Sequence, residues 1–116
     1  MPFQAARQNV HDKLAARGVE GVTLDPVASP PFVLVGLPES ITSTGRAGWP
    51  CVIPVHIVGT PPGGKDTAAW LLSQLPLVLD VLRGATAEPG TYEANKQNCP
   101  AYRVEHAVTI TSPYPC

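Results

Sequence analysis

Residues 59–66, Gly-Thr-Pro-Pro-Gly-Gly-Lys-Asp, come within one position of the phosphate loop GxxxxGK[ST]. That loop cradles phosphates with backbone N–H groups and holds Mg²⁺ through a Ser or Thr hydroxyl. Pro61 and Pro62 supply no N–H, and Asp66 stands where the hydroxyl belongs. Its carboxylate would also face the phosphates. The segment therefore reads as a plain connection between a strand and a helix. The remaining chemistry-bearing residues are sparse. His56 and His106 fall within apolar, strand-like runs, and neither has a Ser, Cys or carboxylate at a recognisable catalytic spacing. Cys51 and His56 would form a nucleophile–base pair only if the fold brought them together. His11 reads as a solvated helix residue. Cys51, Cys99 and Cys116 are odd in number and widely spaced, which fits neither a disulfide framework nor a zinc site. They read as reduced thiols, with a Cys99–Cys116 bridge as the alternative. The sequence thus implies no catalytic residue, no cofactor and no metal.

The elements that would position these residues follow from periodicity. Phe3, Ala6, Val10 and Leu14 make one apolar stripe and predict a helix over residues 3–17, with Gly18 just past its end. A short strand over 22–24 stops at Asp25-Pro26. Phe32-Val33-Leu34-Val35 reads as a strand buried on both faces. Residues 51–58 form a third strand, in which Pro54 points to an edge position or a bulge. Ala68, Leu71, Leu72, Leu75, Leu79 and Leu82 predict a second helix over 66–83, with Asp66 as N-cap and Gly84 as stop. Pro76 inside it predicts a kink or two abutting helices. Pro89-Gly90 reads as a turn, followed by a short strand near Thr91-Tyr92. Tyr102, Val104, His106, Val108 and Ile110 alternate with polar residues in a half-exposed final strand. The order predicts one α+β domain over residues 1–116, a two-layer arrangement. A small mixed or antiparallel sheet of four to five strands would be flanked by two main helices.

Composition narrows the classes further. The chain has 116 residues, 8 Lys+Arg against 9 Asp+Glu, and only 15% charged residues, where about 25% is usual. A balance of −1 argues against a dedicated nucleic-acid binder, and so weakly charged a surface predicts cover by something other than water. The N-terminal stretch lacks the apolar region of a secretory signal. The longest apolar segment, 68–82, is broken by Ser73, Gln74, Pro76 and Asp80, so no membrane span is expected. Residues 38–50 form a long polar connection carrying Ile41, Arg46 and Trp49. With Trp70 these are candidate contact residues for another subunit or partner, since Trp and Arg are favoured at interface hot spots; the alternative is an ordinary hairpin loop with Trp49 folded back on the core.

The order of elements, PPFVLVGLPESI at 30–41, Trp49-Pro50 leading into CVIPVHIVG at 51–59, the leucine-rich helix and the closing YRVEHAVTI together resemble the tail terminator proteins of long-tailed, siphovirus-type bacteriophages, especially those of actinobacteria. The resemblance spans nearly the whole chain, and it implies that the loops 38–50 and 59–65, the latter with Pro61 and Pro62, face neighbours. It implies a structural virion protein of the tail–neck region, present in the host cytoplasm before assembly. Such a protein forms a ring, typically a homohexamer, on the tail tube, ends tube growth and joins the head-completion or connector proteins. DNA would pass through the ring without specific binding. Another neck or minor tail component is the alternative within this class. A small nucleotide-binding domain or enzyme using residues 59–66 is the alternative from another.

Overall fold

In the computed structural model, residues 2–25, 29–43, 48–61, 64–94 and 96–110 are described. They form α1 (Pro2–Arg17), β1 (Val22–Thr23), β2 (Phe32–Val35), β3 (Trp49–Val58), α2 (Lys65–Val81), β4 (Thr86–Ala94) and β5 (Gln97–Ile110). The five strands make one mixed sheet in the order β1-β2-β3-β5-β4, with only β1 parallel to its neighbour. The fold is α+β, as the sequence predicts.

The apolar stripe of α1 buries Val10 and Leu14 against the sheet. The helix ends because Gly18 takes φ 96°, which frees the chain to turn back. The Gly18 N–H then donates to Ala15, and the Val19 N–H to Leu14, each at 3.1 Å. Val19 joins Leu14 in the core, so the helix stop also fixes the approach of β1. The second helix buries Leu71 and Val78 beside them. From the sheet, Val33, Val35, Ile53, Val55, Ile57 and Val104 meet the two helices, as period-two strands require. Val104 lies in the alternating face read from the sequence, and Glu105, Ala107 and Thr109 on the other face are exposed.

The opposite face carries a second core, as the reading of Phe32–Val35 as a strand buried on both faces requires. Phe32, Leu34, Val58, Ala94, Cys99 and Ala101 are buried there, although neither helix packs on that side. The strand order separates β2 from β4 by three strand spacings, about 14 Å in a flat sheet. Yet the rings of Phe32 and Tyr92 meet edge to face at 5.9 Å. The β4–β5 hairpin must therefore curl across this face, and its curl is what covers Phe32, at 2% exposure, and Cys99, at 0%.

Prolines obey one rule of ladder geometry: within a strand, the N–H and C=O of a residue point to the same side. Pro54 is neither at an edge nor at a bulge, since β3 is central and its pairing with β5 is unbroken. Its carbonyl accepts from Gly36 at 2.8 Å on the β2 side, just past the last β2 pair, Val35↔Val55. The N–H it lacks would point to the same side, where the regular ladder has ended. Gly36 is required there, because a Cβ would lie 2.9 Å from the Pro54 ring and 3.1 Å from its carbonyl. Pro89-Gly90 is not a turn but mid-strand. Pro89 sits opposite Tyr102 with its missing N–H toward the open edge of β4, so no ladder bond is lost. The hairpin reverses later, beyond Ala94, where Lys96 takes φ 63°.

Helix α2 runs as one element through Pro76. Both Pro76 and Leu72, whose carbonyl loses its partner, lie on the exposed face, where water can satisfy that oxygen. Asp66 is not the N-cap. The helix starts one residue earlier, Gly64 occupies the cap without a side-chain bond, and Asp66 falls in the first turn, favourable for the helix dipole.

Arg7 ties the layers together. Its guanidinium donates to the carbonyls of Gly36 at 3.0 Å, Val35 at 2.8 Å and Leu24 at 3.3 Å. One α1 side chain thus holds the ends of β1 and β2. Charge-assisted bonds of this kind are worth about 1.5–3 kcal/mol, and three acceptors lose their partner together. Arg7→Ala is expected to lower the unfolding free energy by about 2–3 kcal/mol in urea titration. Arg7→Lys, which cannot fork to three acceptors, recovers only part of it.

Candidate functional site

The residues singled out from the sequence fall into two separate groups. Ile41 and Trp49 lie at one end of the sheet. Ile41 is 49% exposed, on a segment that runs beside β3 through the Glu39↔Val52 bridge and the bond from the Thr42 N–H to Pro50. Trp49 is not in the loop but opens β3, half-buried, with its ring 5.3 Å from that of Phe3. It pins the start of α1 to the sheet. Pro61 and Trp70 lie at the other end. Pro61 is half-buried in the turn after β3. The Trp70 indole N–H donates to the Glu20 carboxylate at 2.9 Å, and buried Gln74 accepts from the Glu20 backbone N–H at 3.0 Å. Trp70 thus holds the α1–β1 turn to α2, with its ring over a dent shared with Pro31 and Thr60. Arg46 and Pro62 lie outside the described residues, as does Cys116 with the proposed Cys99–Cys116 bridge. Cys51 and Cys99 are free and buried.

The strand-to-helix connection is tight. The Thr67 hydroxyl donates to the Thr60 carbonyl at 3.1 Å. A Cβ on Gly59 would meet the Thr67 methyl at 2.5 Å, so Gly59 lets α2 pack directly against the end of β3. Lys65 and Asp66 are exposed in the first turn.

On the curled face, the sequence missed a polar cluster. Arg103 on β5 forms ion pairs with Glu39 and, at 3.2 Å, with Glu105. His56 lies alongside, its ring 5.0 Å from that of Tyr92. Together with Leu34, Leu37 and Pro54, these groups border a groove of about 370 Å³. Tyr92, Glu39 and Arg103 meet here from three separate parts of the sequence, Arg103 lying opposite His56 in the β3–β5 ladder. Burial pushes the His56 pKa down, the Arg103 charge lowers it further, and Glu39 partly opposes this. Cys51 and His56 alternate onto opposite faces of β3, so they form no nucleophile–base pair. The cluster can hold charge and orient the Glu39 segment. Among the described residues, no group of three His, Cys, Asp or Glu side chains is placed to hold a metal ion, and no helix is long and apolar enough to cross a membrane.

No protein-family model matches the sequence, and no curated protein aligns with it significantly.

The histidines make stability depend on pH in a defined direction. Burial lowers the pKa of His106 as well, with Lys13 adding to the effect. A histidine whose folded pKa lies below its unfolded value of about 6.5 takes up its proton more readily when unfolded. Its contribution is intact above that value and is lost as pH falls toward the lowered folded pKa. The urea midpoint is expected to drop between about pH 7.5 and about pH 5.5. The double variant His56→Gln/His106→Gln should flatten that drop, while a drop of equal size in the variant would show that other groups cause it.

Proposed function

We propose that this chain is a phage tail terminator, a structural protein that assembles as a ring, hexameric by resemblance, on the end of the tail tube. The observation that carries the reading is the order of elements around the Pro-led apolar strand 32–35 and the Trp49-Pro50 strand, which resembles that family along nearly the whole chain. The weakly charged composition is consistent with a surface covered by copies and neighbours. Exposed Leu37 and Ile41 supply apolar area for such cover.

In this reading the protein ends tube growth and presents its far face to the head-completion or connector proteins. It acts in the tail–neck region of the virion and is made in the host cytoplasm. The near balance of 8 basic and 9 acidic residues is consistent with a lumen through which DNA slides without a salt-dependent grip. The protein works by shape and contact, with no reaction and no cofactor.

Deleting the gene from the phage that encodes it is expected to give overlong tails that fail to join heads, restored by the gene in trans. Normal-length tails joined to heads would contradict the proposal. Tails of normal length beside leaking heads would assign the chain to head completion instead.

A further inference from the structure

Of the two edges of the sheet, β1 is 2 residues long and β4 is 9. Strand β4 pairs with β5 on one side and, among the described residues, with no strand on the other. The ladder fixes which of its backbone groups face outward. The Pro100 carbonyl accepts from the Gly59 N–H at 2.8 Å, on the β3 side of β5. Thr91, opposite Pro100, therefore receives no ladder bond from it and turns its own N–H and C=O to the open side. Alternation puts Ala87, Pro89 and Glu93 in the same outward set, and Glu88, Gly90 and Tyr92 in the set bonded to β5.

Any strand added to this edge must bond at those outward residues. Ala87, Thr91 and Glu93 each offer an N–H there, but Pro89, between them, offers none. Its ring also stands where a partner carbonyl must approach. Glu88, Pro89, Gly90 and Thr91 are all exposed, so core packing does not account for the proline. The two charged residues of β4, Glu88 and Glu93, are both acids, and a second copy would bring the same charge to the edge. The strand is otherwise long enough to template another, with Thr86, Thr91 and Tyr92 favoured in sheets.

We infer that Pro89 closes the β4 edge to strand pairing, so that a second copy of this chain cannot extend the sheet there. Contacts between copies are thereby confined to other surfaces. The guard does not depend on the ring reading above, because a monomer with an open edge of this length needs it equally.

Residue-by-residue hydrogen exchange on the full chain tests the guard. In the wild type the amides of Ala87, Thr91 and Glu93 should exchange freely at every protein concentration, while those of Glu88, Gly90 and Tyr92 are slowed by the ladder. Pro89→Thr restores the missing donor at an exposed position. It should slow the outward amides by about tenfold or more as concentration rises. Moving the proline to the next outward residue, in Pro89→Thr/Thr91→Pro, should abolish that slowing at Ala87 and Glu93. Outward amides that become protected with concentration in the wild type would show the edge in use and overturn the inference. So would a Pro89→Thr edge that stays unprotected, or one whose protection survives the moved proline. Loss of the inward protection in Pro89→Thr also overturns it, since the proline then serves the fold itself.

Discussion

Ten residue pairs join β3 to β5, from Trp49↔Ile110 to Val58↔Ala101, and both cores of the domain are built on that ladder. Its odd β3 positions feed the core beneath the helices, through Ile53, Val55 and Ile57. Its even positions feed the curled face, through Val58 and the half-buried His56. A slip of one residue would exchange the two sets, placing His56 under the helices and Ile57 beneath Tyr92. The register is held because both faces are buried and neither tolerates the other's residues.

The curl of the β4–β5 hairpin follows from the same constraint. A two-layer domain would leave one sheet face to water, yet Phe32 and Leu34 make that face apolar near β2. Bringing Tyr92 across to Phe32 removes this surface without adding an element. Fully burying a side chain of this size is worth about 1.5–3 kcal/mol, so the closure has a sufficient driving force. On the same face Arg103, opposite His56 in the β3–β5 ladder, pairs with Glu39 and so holds the segment bearing Leu37 and Ile41. The helix layer is fastened by different means. Arg7, Gln74 and Trp70 each reach from a helix to strand ends or turns, so polar side chains set how α1 and α2 meet the sheet.

Much of the architecture was legible because periodicity reports burial directly. The stripe of α1, the fully buried β2 and the alternation of β5 are one-dimensional patterns with one structural solution each. Prolines misled where their consequence depends on a neighbour. Pro54 predicts an edge position or a bulge, but its missing N–H falls where β2 has already ended. Pro89 was read as a turn, but an edge strand accepts it on the solvent side. The cluster of His56, Tyr92, Glu39 and Arg103 was not legible, since its members come from four separate segments that meet only through strand pairing and side-chain reach. Hot-spot preference marks Trp49 and Trp70 as contact residues, with a fold-back onto the core as the alternative for Trp49. One packs on Phe3 and the other bonds Glu20, so each has an internal task that spacing does not reveal.

The domain therefore combines a register locked from both faces with an apolar segment held out at one end of the sheet. That combination suits a subunit that must be rigid and yet join others. The most direct measurement is the length distribution of tail tubes polymerised in vitro from their tube protein and tape-measure protein, with and without this chain. As the proposed terminator, the chain should cap tubes at a fixed length and appear as a ring at one end in electron micrographs. Tubes that keep growing in its presence, with no density added at either end, would contradict it.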